Sequence, residues 1–155
     1  DSSEVLQAIK DATPYLSANP RKIKRFINAF RLQALIANRR GLLQDKTIDI
    51  SYLGKWTVIA IRWPQFLGDL ATDPELLFDL TMYGLASDPV LSQKHGMDEH
   101  KRQETREICS RPQVEKWFSI NELVELLTVH ESFKGIHSRD YLHLSGVVDA
   151  SEQLR

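Results

Sequence analysis

A single cysteine, Cys109, stands in 155 residues, so no disulfide can close within the chain and packing alone must hold the fold. In the run Arg106-Glu107-Ile108-Cys109-Ser110 that thiol reads as a small half-buried hydrophobe rather than a nucleophile. No Gly-x-x-x-x-Gly-Lys-Ser/Thr run occurs among the 7 glycines, so the chain has no loop of its own to cradle phosphates. It also lacks an apolar strand ending in acids of the kind that holds Mg²⁺ in phosphoryl-transfer enzymes. No apolar run reaches the roughly 18 residues a membrane span requires, and the first residues do not read as a secretory leader. A cytoplasmic, reducing setting is expected. The net charge of −1 argues against a general nucleic-acid coat.

What is present is ordinary in bulk: 42% apolar and 26% charged residues suit one folded domain with a real core. Strand signals are poor and helix signals frequent. The pattern predicts an all-α fold, an irregular helical bundle of about six to eight helices spanning residues 1–155 as a single helical domain. Ser3 is placed to cap a short helix burying Val5, Leu6 and Ile9. Asp49 or Ser51 opens a helix through Trp56, Val58, Ile59 and Ile61, buried on more than one face, which Pro64 ends or bends. Asp73-Pro74-Glu75 and Asp88-Pro89 each read as a cap followed by proline. Residues 92–107 are poor in apolar side chains and suggest a mobile insertion or a solvated helix. Asn121 is placed to cap a helix carrying Leu123, Leu126 and Leu127. A last segment, Ser138 to Leu144, precedes a tail expected to fray after Gly146.

The most informative stretch runs from Tyr15 to Phe30. Asn19 is a good N-cap, and Pro20 fits the first helical position, where its missing N–H is no loss. Arg21 follows at once, which sets a cation beside the positive end of a helix, against the usual electrostatic preference. Such a local mismatch suggests that an anion from elsewhere completes the site. At about 100° per residue, Lys24, Arg25 and Asn28 fall within about 60° of Arg21, while Ile23, Phe26, Ile27, Phe30, Ala34 and Ala37 fall on the opposite side. Leu32, Leu35 and Ile36 return to the charged sector, so the second half is expected to be buried all round, in a central helix whose basic head reaches an edge. Gly41 is placed to supply a left-handed stop. Between Pro20 and Arg40 lie seven basic residues, Arg21, Lys22, Lys24, Arg25, Arg31, Arg39 and Arg40, and no acid.

Asn19-Pro20-Arg21-Lys22-Ile23-Lys24-Arg25-Phe26-Ile27-Asn28, together with Trp56 to Pro64 followed by Leu67 and Leu70, resembles the KAP family of P-loop NTPases over roughly residues 13 to 85. In that family these elements follow the nucleotide-binding core. The resemblance implies that residues 1–155 form the C-terminal, lid-like helical part of a larger ATPase. In such a parent, ATP and Mg²⁺ belong to an upstream core of the same polypeptide, and this part alone binds no cofactor and is no enzyme. By the same resemblance to the wider AAA+ and STAND ATPases, Arg21 senses the γ-phosphate, Asn19 and Pro20 shape the helix start, and Lys24 and Arg25 are secondary anion-facing residues. A planar guanidinium suits the task, since it stays charged and can hold two phosphate oxygens. Some family members carry membrane segments inside the core, which leaves membrane association of a parent open.

Arg21 would serve equally to pair a carboxylate on its own bundle. A second class of function is a stand-alone helical adaptor whose basic face docks a protein or nucleic acid; nucleic acid is disfavoured by the near-neutral total charge. His95 with His100, and His137 with His143, lack the i, i+4 spacing that sets two rings on one face, so no metal site is expected. Glu122 with Glu125 and Glu104 with Glu107 read as surface pairs. Trp56, Trp63 and Trp117 read as core residues whose indole N–H needs a partner.

Overall fold

A computed structural model describes residues 2–129 and 131–145. The described residues contain no strand and ten α-helices: α1 (Ser2–Ala12), α2 (Pro20–Arg39), α3 (Ile50–Arg62), α4 (Pro64–Thr72), α5 (Leu76–Ser87), α6 (Pro89–Lys94), α7 (Glu99–Cys109), α8 (Pro112–Phe118), α9 (Asn121–Thr128) and α10 (Ser138–Leu144). The all-α expectation is met. The count exceeds six to eight because Glu99 to Cys109 form a helix and Pro112 opens a further short one at its first position. The helices gather into two compact units, one of α1 to α4 with α10, the other of α5 to α9. The expected fraying after Gly146 lies outside the described residues.

In the first unit the central element is α3. Seven consecutive residues, Leu53 to Ile59, are buried, which requires neighbours on every side; α1, α2 and α4 all pack on it. Asp49 starts α3 by accepting from the Ser51 amide at 2.9 Å. The α1 contact is close: a Cβ on Gly54 would lie 3.3 Å from the Ala8 Cβ and from its carbonyl oxygen. Small side chains therefore set the spacing of α1 and α3. The face of α1 that is buried runs through Ala8 and Ala12, and Leu6, expected inside, is 57% exposed. Ser3, expected as the cap, lies inside the helix.

Tyr141 of α10 is buried against Trp56, ring centroids 5.5 Å apart. Its hydroxyl accepts from the Asp49 amide at 3.0 Å, and the Trp56 indole donates to Ser145 Oγ at 2.9 Å. Burial pushes the Tyr141 phenol up to about 12. A pKa raised above its unfolded value of about 10 means stability that is complete below pH 10 and lost as pH rises through 12. A shift of two units corresponds to about 2–3 kcal/mol. Urea unfolding between pH 9 and 11.5 is expected to show this loss in the native chain and a flatter profile in Tyr141→Phe. Identical profiles would remove Tyr141 as the cause.

The second unit is built on α5, whose Leu76, Leu77, Leu80, Leu85 and Ala86 are buried. A Cβ on Gly84 would meet Val124 at 2.8 Å and Thr128 at 3.0 Å, so glycine is what allows α9 its approach. Two caps differ from expectation. Asp73 does not cap α5; its carboxylate binds Arg111 instead, and the helix starts after Glu75 with no side-chain cap. Ile120, not Asn121, occupies the cap position of α9. Asp88 caps α6 as read from sequence, accepting from the Val90 and Leu91 amides. Within residues 92–107, Glu99 to Glu107 belong to α7, which packs on α5 through Thr105 and Cys109, while Arg102 donates from Nε to the Ala86 carbonyl at 3.0 Å. Cys109 is 4% exposed and its thiol is pushed up by burial, the setting of a structural cysteine.

Candidate functional site

The head of α2 is assembled as its sequence dictates. Asn19 is extended, with φ −91° and ψ 114°, and its Oδ1 accepts from the Arg21 amide at 3.0 Å. Its carbonyl accepts the first helical bond from Ile23 at 3.2 Å. Pro20 has no N–H to satisfy. At the other end Gly41 adopts φ +74°, with Leu42 donating to Ala37 and Gly41 to Asn38. That left-handed double bond closes the helix, and glycine takes the conformation without a Cβ penalty.

One stripe anchors α2 to its unit. Phe26 and Phe30 are 0% exposed and stacked, centroids 5.7 Å apart at an interplanar angle of 14°, and Ala34 and Ala37 continue the line. With that side fixed inward, Arg21, Lys22, Lys24, Arg25 and Asn28 face solvent. Among the described residues no carboxylate pairs with any of the four cations. Four like charges on two turns without a counter-charge are an electrostatic cost at a helix N-terminus, and a bound oxyanion would relieve it.

The second half of α2 differs from expectation. Leu32 is 58% and Leu35 49% exposed. The helix meets α3 along the single Phe26–Ala37 stripe, so residues that rotate to the opposite side stay in water. It is α3, not α2, that runs through the core.

A residue that sequence reasoning passed over also positions this site. Arg62, at the end of α3, donates from Nη1 to the Tyr15 carbonyl at 2.8 Å and lies 4.5 Å over the Trp63 ring. It thereby ties the segment just before Asn19 to the central helix. Trp63 is accordingly half-buried rather than a core residue, while Trp56 and Trp117 are buried as expected. The signal available was an arginine directly before Trp-Pro, at a helix end where a cation can also meet backbone carbonyls.

His95 accepts at Nδ1 from Lys134, 3.2 Å away, and is depressed by burial and then by that cation. Its partner is therefore an ammonium, which a metal would not tolerate. Among the described residues no group of three His, Cys, Asp or Glu is arranged to hold a metal ion, and no helix is long and apolar enough to cross a membrane. No protein-family model, no curated protein and no solved structure matches this chain.

Proposed function

We propose that this chain is the helical, lid-like region of a KAP-type P-loop ATPase, with Arg21 reaching the γ-phosphate of ATP held by an upstream core of the same polypeptide. The observation that carries the reading is the state of Arg21: exposed at the first turn of a rigidly anchored helix, beside Lys24 and Arg25, with no carboxylate partner among the described residues. ATP and Mg²⁺ would be held by that core; among the described residues no group of three His, Cys, Asp or Glu is arranged for a metal. What this chain contributes is position and charge. Asn19 and Pro20 fix the helix start, the Phe26–Phe30 stripe fixes its rotation, and the Arg62 bond to Tyr15 fixes the approach of the preceding segment. A guanidinium so held can grip two oxygens of a terminal phosphate and stabilise charge that develops as the phosphoryl group leaves. When that phosphate departs the contact is lost, and the helix is freed to reorient relative to the core.

In the parent ATPase, Arg21→Ala is expected to lower turnover by about tenfold or more. The far-UV circular dichroism and melting of the helical region should be unchanged, because the side chain is exposed. Arg21→Lys should recover only part of the rate, since a point charge does not grip two oxygens. Native turnover together with native nucleotide-dependent switching in Arg21→Ala would overturn the assignment. A stand-alone adaptor would use the same basic face; salt-sensitive binding of duplex DNA by the isolated chain would favour it.

A further inference from the structure

Helices α1 and α2 both lie on α3 but barely touch one another. Between them runs an open groove of about 830 Å³. Its floor is apolar and low, formed by Ala8 and Ala34, and Leu35 stands at its rim, half exposed. The two walls carry opposite charge. Glu4 and Asp11 line the α1 side and Arg31 the α2 side, while Lys46 and Asp49 line it from the segment between α2 and α3. Neither Glu4 nor Arg31 has an ion-pair partner among the described residues, and Asp11 accepts only an amide, that of Gln7 at 2.9 Å.

This is the shape left when one helix is missing from a layer: two helices splayed on a third, with small residues where a further backbone could approach. The walls state what chemistry would fit. A polyanion such as nucleic acid is repelled by the α1 wall, and a purely cationic segment by Arg31. A helix with an apolar stripe and flanks of opposite sign satisfies both walls, as helix-in-groove recognition requires. We propose that the groove receives an amphipathic helix from a partner protein, its apolar stripe on Ala8, Ala34 and Leu35. Its carboxylates face Arg31, and its Lys or Arg side chains face Glu4 and Asp11. Turning the helix end for end exchanges its flanks, so the charge pattern also sets the direction in which it lies. This docking is separate from the phosphate contact of Arg21, and either can fail without the other.

The test uses three synthetic 18-residue helical peptides sharing one Leu/Ala stripe, with flanks of Glu and Lys, of Lys on both sides, or of Glu on both sides. Fluorescence anisotropy would measure their binding to the native chain and to Arg31→Glu and Leu35→Glu. The mixed peptide is expected to bind about tenfold tighter than either single-sign peptide. Arg31→Glu makes both walls acidic and should transfer the preference to the Lys-flanked peptide. Leu35→Glu should abolish binding of all three. Both positions are exposed, so both variants should melt like the native chain. Equal binding of the three peptides, absence of binding by any, or a preference that Arg31→Glu leaves unchanged would overturn the proposal.

Discussion

Phe30→Ala is expected to cost about 3–5 kcal/mol, whereas Leu32→Ala, two positions along the same helix, should change stability by less than about 0.5 kcal/mol. Phe30 is 0% exposed and stacked on Phe26. It sits in the buried stripe that packs α2 on its unit, so the lost ring leaves a cavity bounded by helix backbones that cannot easily close. Leu32 is 58% exposed, and truncating it removes few contacts. In a chain of this length each kcal/mol lowers the melting temperature by about 2–4 °C. Phe30→Ala should therefore melt about 10 °C lower and Leu32→Ala within about 2 °C of the native chain. Thermal melts of the two variants side by side decide the matter. Comparable losses would mean that the outward face of α2 is covered, contrary to the packing described.

Arg111→Ala is expected to cost about 2–3 kcal/mol in urea unfolding. The guanidinium grips both oxygens of Asp73, from Nη1 at 2.5 Å and Nη2 at 3.2 Å. It also holds Asp79 Oδ2 from Nε at 3.0 Å. One cation thus joins the start of α8, the segment before α5 and the first turn of α5. The three side chains are 22–30% exposed, so solvent screening keeps the cost below that of a fully buried pair. Without the arginine, two carboxylates remain side by side with no counter-charge. That leftover repulsion is separable: adding Asp73→Asn and Asp79→Asn to Arg111→Ala should recover about 1 kcal/mol. Arg111→Lys should recover less than half of the loss, because an ammonium cannot bridge two carboxylates in the same plane. A loss below about 0.5 kcal/mol in Arg111→Ala would make the network a surface feature only.

The network shows why the sequence could be read only so far. Asp73-Pro74-Glu75 carries the local pattern of a helix cap, and Asp88-Pro89 carries the same pattern and obeys it. The difference is Arg111, 38 residues away in the chain, which outbids the backbone amides for the Asp73 carboxylate with a charge-assisted two-pronged bond. Asn19 met no such competitor, and the head of α2 formed as written. The acceptor of Arg62 could not be named for a related reason: it is a backbone carbonyl, and every residue offers one.

Local chemistry, then, was enough for what each segment does by itself. The all-helical class, the Asn19-Pro20 start, the Gly41 stop, the break at Pro64 and the outward set of Arg21, Lys24 and Arg25 all follow from propensity, capping and a 3.6-residue period. Which helix lies at the centre did not. Both α2 and α3 carry enough apolar residues to be buried all round, and periodicity cannot say how many neighbours a helix will have. Packing decided it: α3 took the crowded position because Gly54 and Ala8 allow α1 close against it. That left Leu32 and Leu35 in water and opened the groove beside Arg31.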